Sequence, residues 1–337
     1  MSFTFFYTYF FVFCLVPFTA AHISAWDESM FGRCGNNNQC VNQAQPALPL
    51  QGLPFNQWWW HGYLDFPPVN DSVMALPAGG NVTVQLAGNS AFTKVGSTPQ
   101  AFWPGGALKG SINEAIENNG NYWTSGSAGN LHTTGHNDLA GCALSIAYTN
   151  DAKVVRPEDM VVFSVQQECV WHRDAVFAVP ADMPPCPDGK CMCSWWWIHH
   201  SDGGMDQMYQ TAFQCNITHA PGQKISTTPV GKPVPATNCT GDASKCIKGP
   251  KMPMYWKQQE CNNMPEPGHF APTYGNNYGF TQGAQNDIFQ TINQSNWTCP
   301  QSTAAGVFAS PKHRRTIART IAVPLRHRRA KLRSRPF

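Results

Sequence analysis

Twelve cysteines between Cys34 and Cys299 constrain this chain more than any other feature, because they call for an oxidising compartment and for loops that meet in space. They are Cys34, Cys40, Cys142, Cys169, Cys186, Cys191, Cys193, Cys215, Cys239, Cys246, Cys261 and Cys299. A thirteenth, Cys14, lies in the apolar run from Phe3 to Phe18. That run is followed by Thr19, Ala20 and Ala21, so residues 1–21 read as a secretory signal peptide cut after Ala21. The leader carries no Lys or Arg and relies on its terminal amine for positive charge. It is short against the roughly 20 apolar residues of a membrane span, and no second such run follows. A secreted, extracellular chain with no membrane anchor is expected, and the even cysteine set then reads as disulfides. A zinc site on Cys191, Cys193 and Cys186 lacks a second spaced pair. Six sequons, at Asn70, Asn81, Asn216, Asn238, Asn293 and Asn296, fit export and N-glycosylation.

The net charge of +3 hides two regions of opposite sign. Ten of the 23 Lys and Arg lie between Lys312 and Arg335 with no acid among them, leaving 13 basic against 20 acidic residues, or −7, in the remainder. The basic total therefore does not signal a nucleic-acid partner. It belongs to a low-complexity tail, residues 301–337, that reads as disordered and solvated, with adhesion to an anionic wall as the sharper alternative. Residues 22–300 are long enough for one large domain, expected as a monomer.

Within that domain, 28 Gly and 27 Pro in the whole chain punctuate short β-rich runs at 81–86, 143–149, 160–165, 175–179, 194–199 and 209–218. The pattern predicts a mainly β fold, an immunoglobulin-like or fibronectin III-like antiparallel β-sandwich with long disulfide-stapled loops. Residues 112–118 could form a short helix. The stretch 221–253 contains Cys239 and Cys246 and reads as a stapled extension, not a free linker.

Cutting after Ala21 makes His22 the first residue, which places a free α-amine and an imidazole on one residue. Amine and Nδ1 can chelate a metal together. A further imidazole would complete three nitrogen donors in a roughly planar T, a set suited to Cu(II). The segment "NLHTTGHNDLAGCALSIAY" offers His132 and His136 just before a predicted strand. In "WWWIHHSDGGMDQMYQTAFQCNIT", His199 precedes Gln207 and Tyr209, which strand alternation puts on one face.

The opening "HISAWDESMFG", the "GCALSIAY" segment, and "SWWWIHH" followed by "DQMYQTAFQCNIT" resemble fungal lytic polysaccharide monooxygenases, most closely auxiliary activity family 14. That resemblance spans His22 to about Cys299. It implies one copper ion held by a histidine brace of His22 and His132, with Tyr209 axial and His136 kept open as the alternative to His132. His199 and Gln207 resemble the residues that hydrogen-bond the oxygen ligand and the tyrosine. The implied chemistry is oxidative cleavage of plant cell-wall polysaccharide, with xylan on cellulose as substrate. An external electron donor and dioxygen or hydrogen peroxide take part. The "RCGNNNQC" stretch and the basic tail depart from the pattern.

Two other features invite functional readings. Trp58-Trp59-Trp60 and Trp195-Trp196-Trp197 suggest sugar platforms, but alternation in a strand prevents three consecutive rings from forming one plane, and core packing with at most one exposed ring is expected. Asp27 and Glu28 are adjacent, not facing, which argues against a hydrolytic carboxylate pair. A function from another class also competes: a copper-binding or wall-associated protein that keeps the brace without cleaving sugar.

Overall fold

A computed structural model describes residues 22–34, 44–90, 93–96, 139–172, 174–199, 207–264, 272–292 and 297–299. Its strands are β1 (Ser24–Trp26), β2 (Met74–Pro77), β3 (Asn81–Ala87), β4 (Cys142–Ala147), β5 (Val161–Gln166), β6 (Asp174–Ala178), β7 (Cys191–Ile198), β8 (Met208–Thr218) and β9 (Gly283–Ala284). They form a three-stranded sheet, β1-β3-β6, and a six-stranded sheet, β2-β8-β7-β4-β5-β9. Six of these strands coincide with the runs read from sequence. One pairing departs from the antiparallel expectation: β2 runs parallel to β8, with Met74 opposite Cys215.

The two sheets differ in how they meet solvent. In β3 the sequence NVTVQLA alternates exposed and buried positions, as a sheet with one wet face requires. Strands β4, β7 and most of β8 are buried along their length. Their alternate residues enter two separate cores. Cys193, Trp195, Trp197, Tyr209 and Phe213 face the small sheet with Ile23, Val84 and Phe177. Met192, Trp196, Ile198, Met208 and Ala212 face an outer layer of loops built from Trp58, Trp59, Trp60, Tyr255 and Trp256. The six-stranded sheet is therefore the middle of three layers, which explains its continuous apolar runs.

Both tryptophan triplets are core. Trp195 and Trp197 point one way and Trp196 the other. Trp58–Trp60 lie in a short helix, α1 (Phe55–Trp58), and the helical turn after it, so strand alternation does not apply to them. None of the six rings is exposed, which corrects the allowance for one. Instead Trp59 stacks on Phe55 and Trp60, and Trp58 packs on Tyr255. Gln258 ties this layer to the sheet: its Nε2 donates to Leu50 O at 2.7 Å, and Leu50 in turn exchanges two backbone bonds with Met208.

The disulfides join Cys142 to Cys169, Cys186 to Cys191, Cys193 to Cys215, Cys239 to Cys246 and Cys261 to Cys299. Cys34 is also disulfide-bonded. Cys186, Cys191 and Cys193 are thus consumed in two different bridges and leave no thiolate for zinc. The extension 221–253 is stapled by Cys239–Cys246 and anchored by Lys251, a buried ammonium bonded to Asp287 at 3.0 Å and to Gly249 O at 2.9 Å. The helix read at 112–118 and the tail 301–337 lie outside the described residues.

His61 links this packing to pH. Its Nε2 is sealed from solvent, and burial holds its imidazole down to about 4. The unfolded side chain titrates near 6.5, so protonation favours the unfolded chain. Stability is complete above about pH 6.5 and falls as pH drops toward 4, by at most about 3 kcal/mol from this residue. His61→Asn keeps a side chain that tolerates the positive φ of 52° but does not titrate. Its melting temperature, followed from pH 7 to 4, should fall less steeply than that of the unmodified protein.

Candidate metal centre

The β7–β8 ladder assembles most of the site. Eight residue pairs run from Cys191↔Cys215 to Ile198↔Met208, and one further backbone bond, from His199 N–H to Gln207 O at 3.2 Å, extends the ladder past them. With a period of two, His199 and Trp197 share the inward face of β7, and Gln207, Tyr209 and Thr211 share that of β8. The rings pack accordingly: Trp197 lies 4.6 Å from Tyr209 and 5.2 Å from His199, centroid to centroid. His199 and Tyr209 are buried, while Gln207 and His22 are half-buried at the rim.

His22 is brought in by β1, which belongs to the other sheet. Trp26 Nε1 donates to Ala87 O at 2.7 Å, fixing β1 on β3. Across the sandwich, Ser24 Oγ and Thr211 Oγ1 share a buried hydrogen bond of 2.7 Å, and Ala25 N–H donates to the same Thr211 oxygen at 3.3 Å. Ser24 stands two residues after His22 and Thr211 two residues after Tyr209. One polar contact therefore sets the register that puts His22 Nδ1 at 3.3 Å from Tyr209 Oη.

The protons at this contact are assigned by its geometry. Tyr209 donates its only hydroxyl proton to Gln207 Oε1 at 2.7 Å, so its oxygen turns a lone pair toward His22. Contact with Nδ1 then requires the proton to sit on Nδ1. A cation in place of that proton would meet an imidazole nitrogen and a phenol oxygen, donors that suit copper. Burial, and secondarily the neighbouring His199, lower the pKa of His22, which favours the neutral ring that a metal needs. The residues present fit a metal on these grounds.

The structure thus brings together His22, Tyr209, Gln207 and His199. His132 and His136 lie outside the described residues, and among the described residues no group of three His, Cys, Asp or Glu converges. Sequence reasoning missed Ser24 and Thr211, whose contact crosses 187 residues and carries no local pattern, and it missed the packing of Trp197 on Tyr209. Asp27 caps a turn through Ser29 and pairs with Lys94 at 3.4 Å, while Glu28 is exposed, and neither is shown against a partner carboxylate among the described residues. No helix among the described residues is long and apolar enough to cross a membrane.

The structure is a β-sandwich in which His22, just ahead of the first strand, meets a buried tyrosine. A family model described as lytic polysaccharide monooxygenase AA14 matches residues 4–334, and the chain belongs to that family. AA14 family lytic polysaccharide monooxygenase B of Trametes coccinea (strain BRFM310) is 40% identical over 284 residues, covering 81% of this chain and 64% of its own. The protein of that description from Pycnoporus cinnabarinus is 39% identical over 284 residues, covering 81% and 71%. That from Talaromyces rugulosus is 28% identical over 299 residues, covering 81% and 95%. This chain therefore spans somewhat less than two thirds of the Trametes coccinea relative. Likeness to the solved extended catalytic domain of H. jecorina LPMO9A is loose, with a TM-score of 0.30 and 10% identity over 81% of this chain and 96% of that one.

The inter-sheet bond makes a testable demand. Thr211→Val keeps shape but leaves Ser24 Oγ without its hydrogen-bond partner and Ala25 N–H without its acceptor, at a cost of about 1–3 kcal/mol. The variant should remain folded, bind copper at least about tenfold more weakly by titration, and show an altered Cu(II) paramagnetic resonance spectrum.

Proposed function

We propose that this chain is a secreted copper-dependent monooxygenase that cleaves glycosidic chains oxidatively, with xylan associated with cellulose as its substrate. The observation that carries the reading is the convergence of His22 and Tyr209 at 3.3 Å, at a residue that removal of a 21-residue leader turns into an N-terminus. His22 would hold the metal through its amine and Nδ1, His132 through its imidazole, and Tyr209 through its oxygen. Copper bound there supplies one-electron chemistry toward dioxygen or hydrogen peroxide once an external donor has reduced it.

The chain's own groups do the remaining work. Gln207 Oε1 accepts the hydrogen bond of the Tyr209 hydroxyl and so keeps a phenol lone pair directed at the site. Trp197 packs on Tyr209 and His199 and holds both rings in place. The buried imidazole of His199 stands beside His22 at the inner side of the site. The half-buried position of His22 leaves one side of the site open to a polymer too large for a closed pocket.

The test is product analysis by mass after incubating processed, copper-loaded protein with xylan-coated cellulose, reductant and peroxide. Oxidised oligosaccharides are expected from the unmodified protein and from His136→Ala but not from His132→Ala. Tight copper binding with no oxidised product on any of a broad polysaccharide panel would overturn the oxidase reading and leave a copper-binding protein.

A further inference from the structure

The far end of the same sheet holds a cleft of about 370 Å³, within the range of small-molecule sites. It is separate from the metal centre. Gln214 in its wall lies five residues along β8 from Tyr209, about 17 Å at roughly 3.4 Å per residue, and on the opposite face of the strand. Phe31 and Met192, both buried, line it with Gln214.

Its polar groups are arranged as a built wall. Lys190 Nζ reaches both carboxylate oxygens of Asp71, at 2.7 and 2.8 Å, and Gln214 donates a side-chain hydrogen bond to the same carboxylate. The charge of Asp71, an exposed side chain at the cleft, is thereby met by these two donors. Gln214 is only 4% exposed, and its Oε1 has no hydrogen-bond partner, a buried acceptor that is costly if left unmet. The rim adds the carboxylates of Asp65 and Asp151 against one further ammonium, Lys153. Acceptors outnumber donors, so the fitting ligand brings hydrogen-bond donors and no negative charge. A polyol with one apolar face meets both the oxygen-rich wall and the floor of Phe31 and Met192.

We propose that this cleft is a second saccharide site, seating a pyranose unit of a neutral glycan away from the copper end. The ligand class rests on the polysaccharide reading above. The pyranose can come from an external chain or from the protein's own N-glycan, since the sequon Asn70-Asp71-Ser72 contains the wall residue Asp71 and the sequon at Asn216 begins two residues after Gln214.

The test uses the full secreted, copper-loaded chain labelled with ¹³C-methyl methionine and titrated with xylohexaose without reductant, so that binding is read independently of oxidation. In enzymatically deglycosylated protein the Met192 methyl resonance should shift saturably at up to millimolar xylohexaose. Gln214→Leu should weaken that response at least about tenfold, and so should Asp65→Ala/Asp151→Ala, whose changes lie at the rim and spare the core. If the protein's own glycan is the occupant, deglycosylation itself moves the Met192 resonance and Asn70→Gln or Asn216→Gln reproduces the change, which supports the site equally. A Met192 signal unmoved by both xylohexaose and deglycosylation would overturn the proposal, as would a shift unchanged in the variants or one elicited only by a polyamine. None of these outcomes bears on whether the copper centre oxidises sugar.

Discussion

The hydrogen bond between Ser24 and Thr211 joins the two sheets beside the site, and the placement of His22 depends on it. β1 is three residues long and could not dock reliably through its own ladder. Its side chains supply what the ladder lacks: Trp26 fixes it on β3, and Ser24 ties it across the sandwich to β8. A buried hydroxyl pair satisfies both partners and permits only one register, because a slip by one residue would turn His22 away from Tyr209.

The rest of the molecule makes that register rigid. β8 pairs with β7 on one side and β2 on the other, and its two faces sink into separate cores. An outer layer of tryptophan and tyrosine rings covers the six-stranded sheet, and Gln258 fastens that layer to the strand residue next to Tyr209 through Leu50. The disulfide Cys193–Cys215 fixes the β7–β8 pair toward its far end. Packing of this kind tolerates little local movement, which is what holding a metal ligand set within tenths of an ångström requires.

Much of this was legible in the sequence because it rests on local pattern. The strands at 142–147, 161–166, 191–198 and 208–218 announce themselves by β-branched and aromatic runs between turn residues, and Gln207 and Tyr209 share a face by alternation alone. β1, β2 and β9 were not legible: at two to four residues they carry no periodicity, and they exist because a neighbouring strand offers its edge. The parallel course of β2 depends on chain routing, which no local signal encodes. Trp58–Trp60 misled in detail, since three aromatic residues in a row suit a strand by propensity while tertiary packing places them in a helical turn. Candidate ligands could be named from chemistry, but the residues that hold them in place could not, because Ser24 and Thr211 look like ordinary strand hydroxyls until the sheets are assembled.

The proposed cut after residue 21 would join these threads, since it would convert the nitrogen of His22 from an amide into an amine next to a ring that meets Tyr209. The most direct measurement compares copper affinity and the Cu(II) resonance spectrum of the processed chain with those of a chain retaining one alanine before His22. Loss of the amine ligand predicts binding weaker by about a hundredfold or more and a changed ligand-hyperfine pattern. Equal affinity and identical spectra in the two chains would contradict the claim that cleavage builds the site.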